Sequence, residues 1–140
     1  MQQAILQPVA ALILLTMVVW ITMVVRRVGY MIANRIHAQR VATLEQVNSI
    51  LPEHINRPSN NFKNLFELPV LFYVICLALL AIGKVDSVYL VLAWLFVALR
   101  GVHSAIQCSV NIVRLRFIAY ASSSLVLWIF VLRFALAVLR

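Results

Sequence analysis

Residues 4–25 contain no charged side chain, and 22 such positions are enough for a helix to cross a ~30 Å hydrocarbon core. Three further apolar segments follow, at about 65–82, 88–108 and 117–139. Inside a bilayer every backbone N–H and C=O must find its partner within the protein, so segments of this kind are helices. The third is apolar only from Val88 to Leu99, and those 12 residues are too few to span, so it is read as continuing in the same helix. The chain therefore predicts an all-α membrane protein, one four-transmembrane-helix domain over residues 1–140. A charged fraction of 11%, against about 25% in soluble domains, agrees with that reading.

A cleavable signal peptide is the competing reading of the first segment. No basic residue precedes it, its apolar run exceeds the ~7–15 residues of such a peptide, and no small-residue cleavage site follows. Arg26 and Arg27 read instead as a cytoplasmic stop, so the first span is expected to be retained.

Net charge is +8, with only Glu45, Glu53, Glu67 and Asp86 as acids. The cations stand at the ends of apolar runs, which is a membrane pattern and argues against a nucleic-acid partner. Arg26, Arg27, Arg35, Arg40, Arg57, Lys63, Arg100, Arg114 and Arg116 fall on one side, and Lys84, Arg133 and Arg140 on the other. The larger set marks the cytoplasm, which puts both termini on the non-cytoplasmic side.

Between Tyr30 and Leu51 there is no Gly or Pro, so the first helix is expected to run on beyond the bilayer until Pro52 and then Pro58 break it. Ser59 or Asn60 would cap the next helix. Pro69 would lie inside the second span, where neighbouring helices must satisfy the freed carbonyl. The short turn at 83–87 predicts that spans two and three are antiparallel neighbours. Ser122, Ser123 and Ser124 offer small residues for close packing in the fourth span, and Arg133 can snorkel to the interface. Cys76 and Cys108 read as small buried hydrophobes, with no metal-ligand spacing around them.

The polar residues inside these segments carry the functional question. Asn60, Asn64 and Glu67 are spaced i, i+4, i+7, which predicts one shared helical face at the mouth of the second span. A carboxylate at the membrane centre costs about 2.5–3.5 kcal/mol even on lenient scales, so Glu67 calls for a cation. Arg100, at the equivalent depth of span three, is the natural partner. Lys63 stands four residues before Glu67, a second possible pair. Arg100, His103, Gln107, Asn111 and Arg114 recur at spacings of 3, 4, 4 and 3, a polar stripe facing a bundle interior or a water-filled cavity.

Each of these has a plain alternative. Glu67 and Arg100 can form an ion pair that fixes geometry and does no chemistry. Arg100 and Arg114 can together bind an anion or hold a thiolate, or Arg114 and Arg116 can anchor the helix at a headgroup layer, the reading preferred for Arg116. His103 can shuttle a proton or simply be hydrogen-bonded. His37 and His54 read as surface residues, and Tyr73 and Tyr120 as belt or packing aromatics.

Asn64-Leu65-Phe66-Glu67 followed closely by proline, with Arg100 on a basic third helix, resembles the family of membrane-associated proteins in eicosanoid and glutathione metabolism, MAPEG. The resemblance covers nearly the whole chain. It implies a homotrimer of four-helix protomers, with glutathione as co-substrate at the cytoplasmic side between subunits, and the charge bias together with the simple form of the motif points to a bacterial-type inner membrane. The resemblance further implies that Asn64, Glu67 and Arg100 contact or organise the glutathione site, and Asn60, on the same predicted face, is grouped with them. Arg114 and His103 would act on the thiolate. This sequence departs from the family pattern at His103 and Gln107, which stand where tyrosines are usual. It departs again at Asn60 and Phe62, and at Pro69, which comes one residue early. The implied function is glutathione conjugation or reduction of a lipophilic electrophile delivered from membrane lipid. The alternatives are a non-catalytic accessory subunit or lipid-binding scaffold, and a lipid- or quinone-binding module.

Overall fold

The computed structural model describes residues 2–139, and Arg140, one of the expected external cations, lies outside the described residues. Six α-helices follow a 3-10 turn at Gln2–Ile5: α1 Leu6–Ala33, α2 Leu44–Ile50, α3 Glu53–Leu65, α4 Leu68–Ala81, α5 Ser87–Cys108 and α6 Val113–Leu139. Four stretches are long and apolar enough to cross a membrane: Gln2–Ala33, Glu53–Ala81, Ser87–Cys108 and Val113–Leu139. The chain is a multi-pass membrane protein. Large apolar side chains such as Val18, Val74, Val91, Leu125 and Leu132 face outward, as lipid contact requires.

The interior is built from aromatic and aliphatic side chains at helical spacing. Phe72 of α4 lies against Phe96 of α5 and Phe130 of α6, with centroids 5.0 and 6.0 Å apart. Tyr89 meets Phe130 edge-on. Leu12, Leu79, Ala93 and Leu127 complete a core with no accessible surface. In lipid this close contact is itself the main attraction between helices. Spans two and three are antiparallel and touch through Phe72 and Phe96, but the closest backbone partner of α5 is α6, with α1 and α3 next. Ser123 is fully buried in α6, its hydroxyl donating to the Tyr120 carbonyl.

The first helix stops well short of Pro52. Asn34 turns its side-chain amide back to the Tyr30 carbonyl, and Arg35 takes a positive φ of 53°. Ile36 N–H then bonds Met31 O and Arg35 N–H bonds Ile32 O, the pair of reversed bonds that closes a helix end. The expectation of a long continuous helix fails because an asparagine with a left-handed residue after it ends a helix without glycine. The chain then folds back. Thr43 and Gln46 form a capping box for α2, and Val47, Leu51 and Ile55 pack on Tyr30, Met31, Ile36 and Val41.

The prolines act differently from their sequence reading. α3 begins at Glu53, with Pro52 as its N-cap, and runs through Pro58, so neither Ser59 nor Asn60 caps it. The carbonyl deprived of its donor by Pro58 is, by spacing, that of His54, an exposed residue. Pro69 is not inside a continuous helix either. The second span breaks at residues 66–67, and Pro69 falls in the first turn of α4, where no N–H is needed.

At the opposite end Gly83 has φ +67° and supplies the left-handed step of the turn. Gln2 spans it with its side-chain amide, donating to Gly83 O and accepting from Val85 N–H. At the basic end, Arg26 donates to Cys108 O and Arg57 to Ser109 O. Two cations thus cover the last carbonyls of α5, where a helix carries partial negative charge.

Candidate functional site

The break between α3 and α4 decides where the polar residues go. Asn60 and Asn64 leave α3 on one face, but Glu67 sits beyond the helix end with φ −92° and ψ −105°. The i, i+4, i+7 face is therefore interrupted, and Glu67 is exposed. Among the described residues Glu67 pairs with neither Arg100 nor Lys63, the ion pairs being Arg57–Glu53 and Arg133–Asp86. An exposed carboxylate at the membrane end needs no buried counter-ion, which removes the reason for the expected pair.

Arg100 is fully buried and finds other company. Its Nη2 donates to the Asn64 backbone carbonyl at 2.8 Å, one of the open carbonyls at the end of α3. Its guanidinium carbon lies 5.7 Å from the centre of the Tyr120 ring. Nε and Nη1 have no partner among the described residues. A buried guanidinium with two open nitrogens is costly and invites an anion.

A second break shapes the other wall. The expected polar stripe from Arg100 to Arg114 is not one helix face: α5 ends at Cys108, Asn111 adopts φ +51°, and α6 restarts at Val113. Arg100, His103 and Gln107 share the α5 face and are buried. Arg114 is exposed and lies outside the cavity this face forms, whereas Arg116 lines it.

That cavity, of about 380 Å³, gathers Asn60, Asn64 and Glu67 from the second span, His103 and Gln107 from α5, and Arg116 and Tyr120 from α6. Asn64 Nδ2 donates to Gln107 Oε1 at 3.1 Å, and the same oxygen lies 2.9 Å from His103 Nε2. His103 Nδ1 faces the Arg116 carbonyl at 3.1 Å, so Nδ1 carries the proton. A neutral ring must then accept at Nε2 from a Gln107 amide turned the other way, while a protonated ring donates to the oxygen where it stands. Proton and amide orientation are coupled across Asn64, Gln107 and His103. Arg116 Nη1 is held at 2.7 Å by Asn111 Oδ1, the left-handed residue of the break.

Behind the polar wall, on another face of α3, a groove of about 400 Å³ is almost wholly apolar. Met17 and Trp20 of α1 line it with Phe62, Leu65, Phe66 and Tyr73. Asn61, missed in the sequence, is fully buried between these regions and braces α3 on α5, accepting from Ser104 and donating weakly to Cys108 Sγ. Arg116 and Tyr120 also differ from their sequence reading as anchoring and packing residues. Only the break at residues 109–112 turns them inward, and its sole local sign is an asparagine between apolar residues.

Residues 5–136 match the MAPEG family. The chain belongs to the MAPEG family. No curated protein and no solved structure matches it. For a MAPEG chain the geometry is chemically specific at the basic end. One cation and one carboxylate line a polar cavity, a second and under-bonded cation lies behind it, and an apolar groove sits one helix face away.

Proposed function

We propose that this MAPEG protein binds glutathione in the cavity between α3, α5 and α6 and joins its sulfur to a lipophilic electrophile entering from the bilayer. The observation that carries this reading is the convergence of Asn64, Glu67, His103, Arg116 and Tyr120 on one cavity, with Arg100 and its two open nitrogens behind it. Glutathione offers carboxylates for the guanidiniums and an ammonium for Glu67. Its S–H proton leaves to solvent, and Arg116 stabilises the resulting thiolate in the role that the family resemblance implies for Arg114. The thiolate lone pair then forms a C–S bond, and the displaced electron pair leaves with the leaving group or onto an adjacent acceptor atom. Asn60 stands at the exposed rim. The proposal includes a homotrimer in a bacterial inner membrane with the basic end in the cytoplasm, supported by the asymmetry of arginines between the two ends.

One observation favours a second reading. Both ring nitrogens of His103 are occupied by the chain itself, and Gln107 is tied to Asn64. A wall satisfied by its own hydrogen bonds suits a non-catalytic scaffold or accessory subunit, with the apolar groove taking lipid.

Ultraviolet difference absorbance of glutathione thiolate on the purified, detergent-solubilised protein separates the two. The enzyme reading expects a saturable signal near neutral pH, reduced about 10- to 100-fold in affinity or abolished in Arg116→Ala, the worth of one hydrogen bond to a charged group, and kept in Arg114→Ala. An intact oligomer with no signal at millimolar glutathione overturns it.

A further inference from the structure

At the end of the bundle away from the proposed glutathione site lies a cavity of about 600 Å³, lined by Lys84, Val85, Asp86, Tyr89, Arg133 and Leu136. Its polar groups are only partly accounted for. Arg133 makes two bonds to the Asp86 carboxylate and lies over the Tyr89 ring, 4.2 Å from its centre. That pair is internally neutral. Lys84, an exposed residue, donates to the Ala137 carbonyl in the last turn of α6, where a helix end carries partial negative charge, and this uses one of its three N–H groups; among the described residues no carboxylate pairs with it. Tyr89 is 3% exposed, yet its hydroxyl has no hydrogen-bond partner among the described residues.

A buried phenol without a partner is a missing acceptor. The Lys84 ammonium lining the same cavity, with no carboxylate paired to it among the described residues, sets the sign of what would bind. The apolar rim sets the rest: Leu136 and Leu132, one helical turn apart on α6, are exposed and continue the cavity wall along the lipid-facing surface. A ligand that satisfies all three features has an anionic head and an apolar tail. We propose that this cavity binds the phosphate headgroup of an anionic phospholipid, with Lys84 and the Tyr89 hydroxyl on the phosphate and an acyl chain along Leu132 and Leu136. Asp86 acts as a positioning residue, holding Arg133 over the Tyr89 ring.

This assignment is independent of the chemistry at the other end. It is tested by native mass spectrometry of the detergent-purified full chain titrated with equal amounts of phosphatidylglycerol and phosphatidylcholine. Phosphatidylglycerol is expected to be retained in preference. Tyr89→Phe removes only the hydroxyl and keeps the ring packed on Phe130 and Arg133, so its fold is preserved. It should weaken phosphatidylglycerol binding about tenfold, the worth of one hydrogen bond to a charged group, without changing phosphatidylcholine binding. Lys84→Ala should lower the preference by a similar factor. Undiminished preference in Tyr89→Phe overturns the proposal, whatever Lys84→Ala does. Displacement of the lipid by equimolar inorganic phosphate also overturns it, since the site would then take a free anion. Failure of phosphate to compete, with loss in Tyr89→Phe, supports it.

Discussion

The two ends of this bundle each set an arginine against a tyrosine, and they treat it in opposite ways. Arg133 is half-exposed, paired with Asp86 through both Nη atoms and laid over Tyr89. Arg100 is fully enclosed, has one backbone carbonyl and the more distant Tyr120 ring, and keeps two nitrogens open. The closed pair costs little and ties α5 to α6. The open guanidinium carries a desolvation cost that nothing among the described residues fully offsets. Incomplete pairing of a buried charge is hard to explain as architecture, and that is why the basic end reads as a ligand site.

The contrast predicts different consequences for removing each group. The largest effect is expected from Arg100→Met. It should cost about 100-fold or more in glutathione affinity, as charge-assisted bonds are lost. The thermal midpoint in detergent should hold or rise, because an under-bonded buried charge is replaced by a side chain of similar length. A collapse of the folded protein in this variant would mean that Arg100 is structural and would erase the contrast. Asp86→Ala should do the reverse. It removes the α5 N-cap, worth about 1 kcal/mol, and a part-exposed ion pair worth at most about 1 kcal/mol after solvent screening. The midpoint should fall while the thiolate signal is unchanged. The smallest effects come from a matched pair of glycines, since a Cβ meets nothing within 4 Å at either position. Gly83→Ala forces a side chain into φ +67° and should cost about 1 kcal/mol. Gly101→Ala lies within helix α5 and should gain roughly 0.5–1 kcal/mol. Equal signs for the two would show that backbone conformation does not separate the ends.

The four spans were legible because lipid leaves a chain few options: long charge-free runs become helices, and their number and order survive into the structure. The breaks inside them were not legible. Residues 66–67 and 109–112 contain neither glycine nor proline, and ordinary helix periodicity runs straight through both. Extending it there produced the Glu67–Arg100 pair and the stripe ending at Arg114. Each break rotates the residues beyond it, so Glu67 leaves its expected face and Arg116 takes a wall position that Arg114 does not. Asn64, His103 and Arg100 needed no such correction in depth, since each lies upstream of a break on an uninterrupted helix. The pocket is assembled across both breaks, which is why pattern alone could name most of its types of residue but not the whole set.

All three tryptophans are about half exposed, and of them Trp20 lines the apolar groove beside α3. The molecule thereby carries its own optical reporter at the position where a greasy reactant would rest. A quencher carried by a reactant in the groove would dim Trp20, and a Trp20→Phe variant would lose that part of the signal.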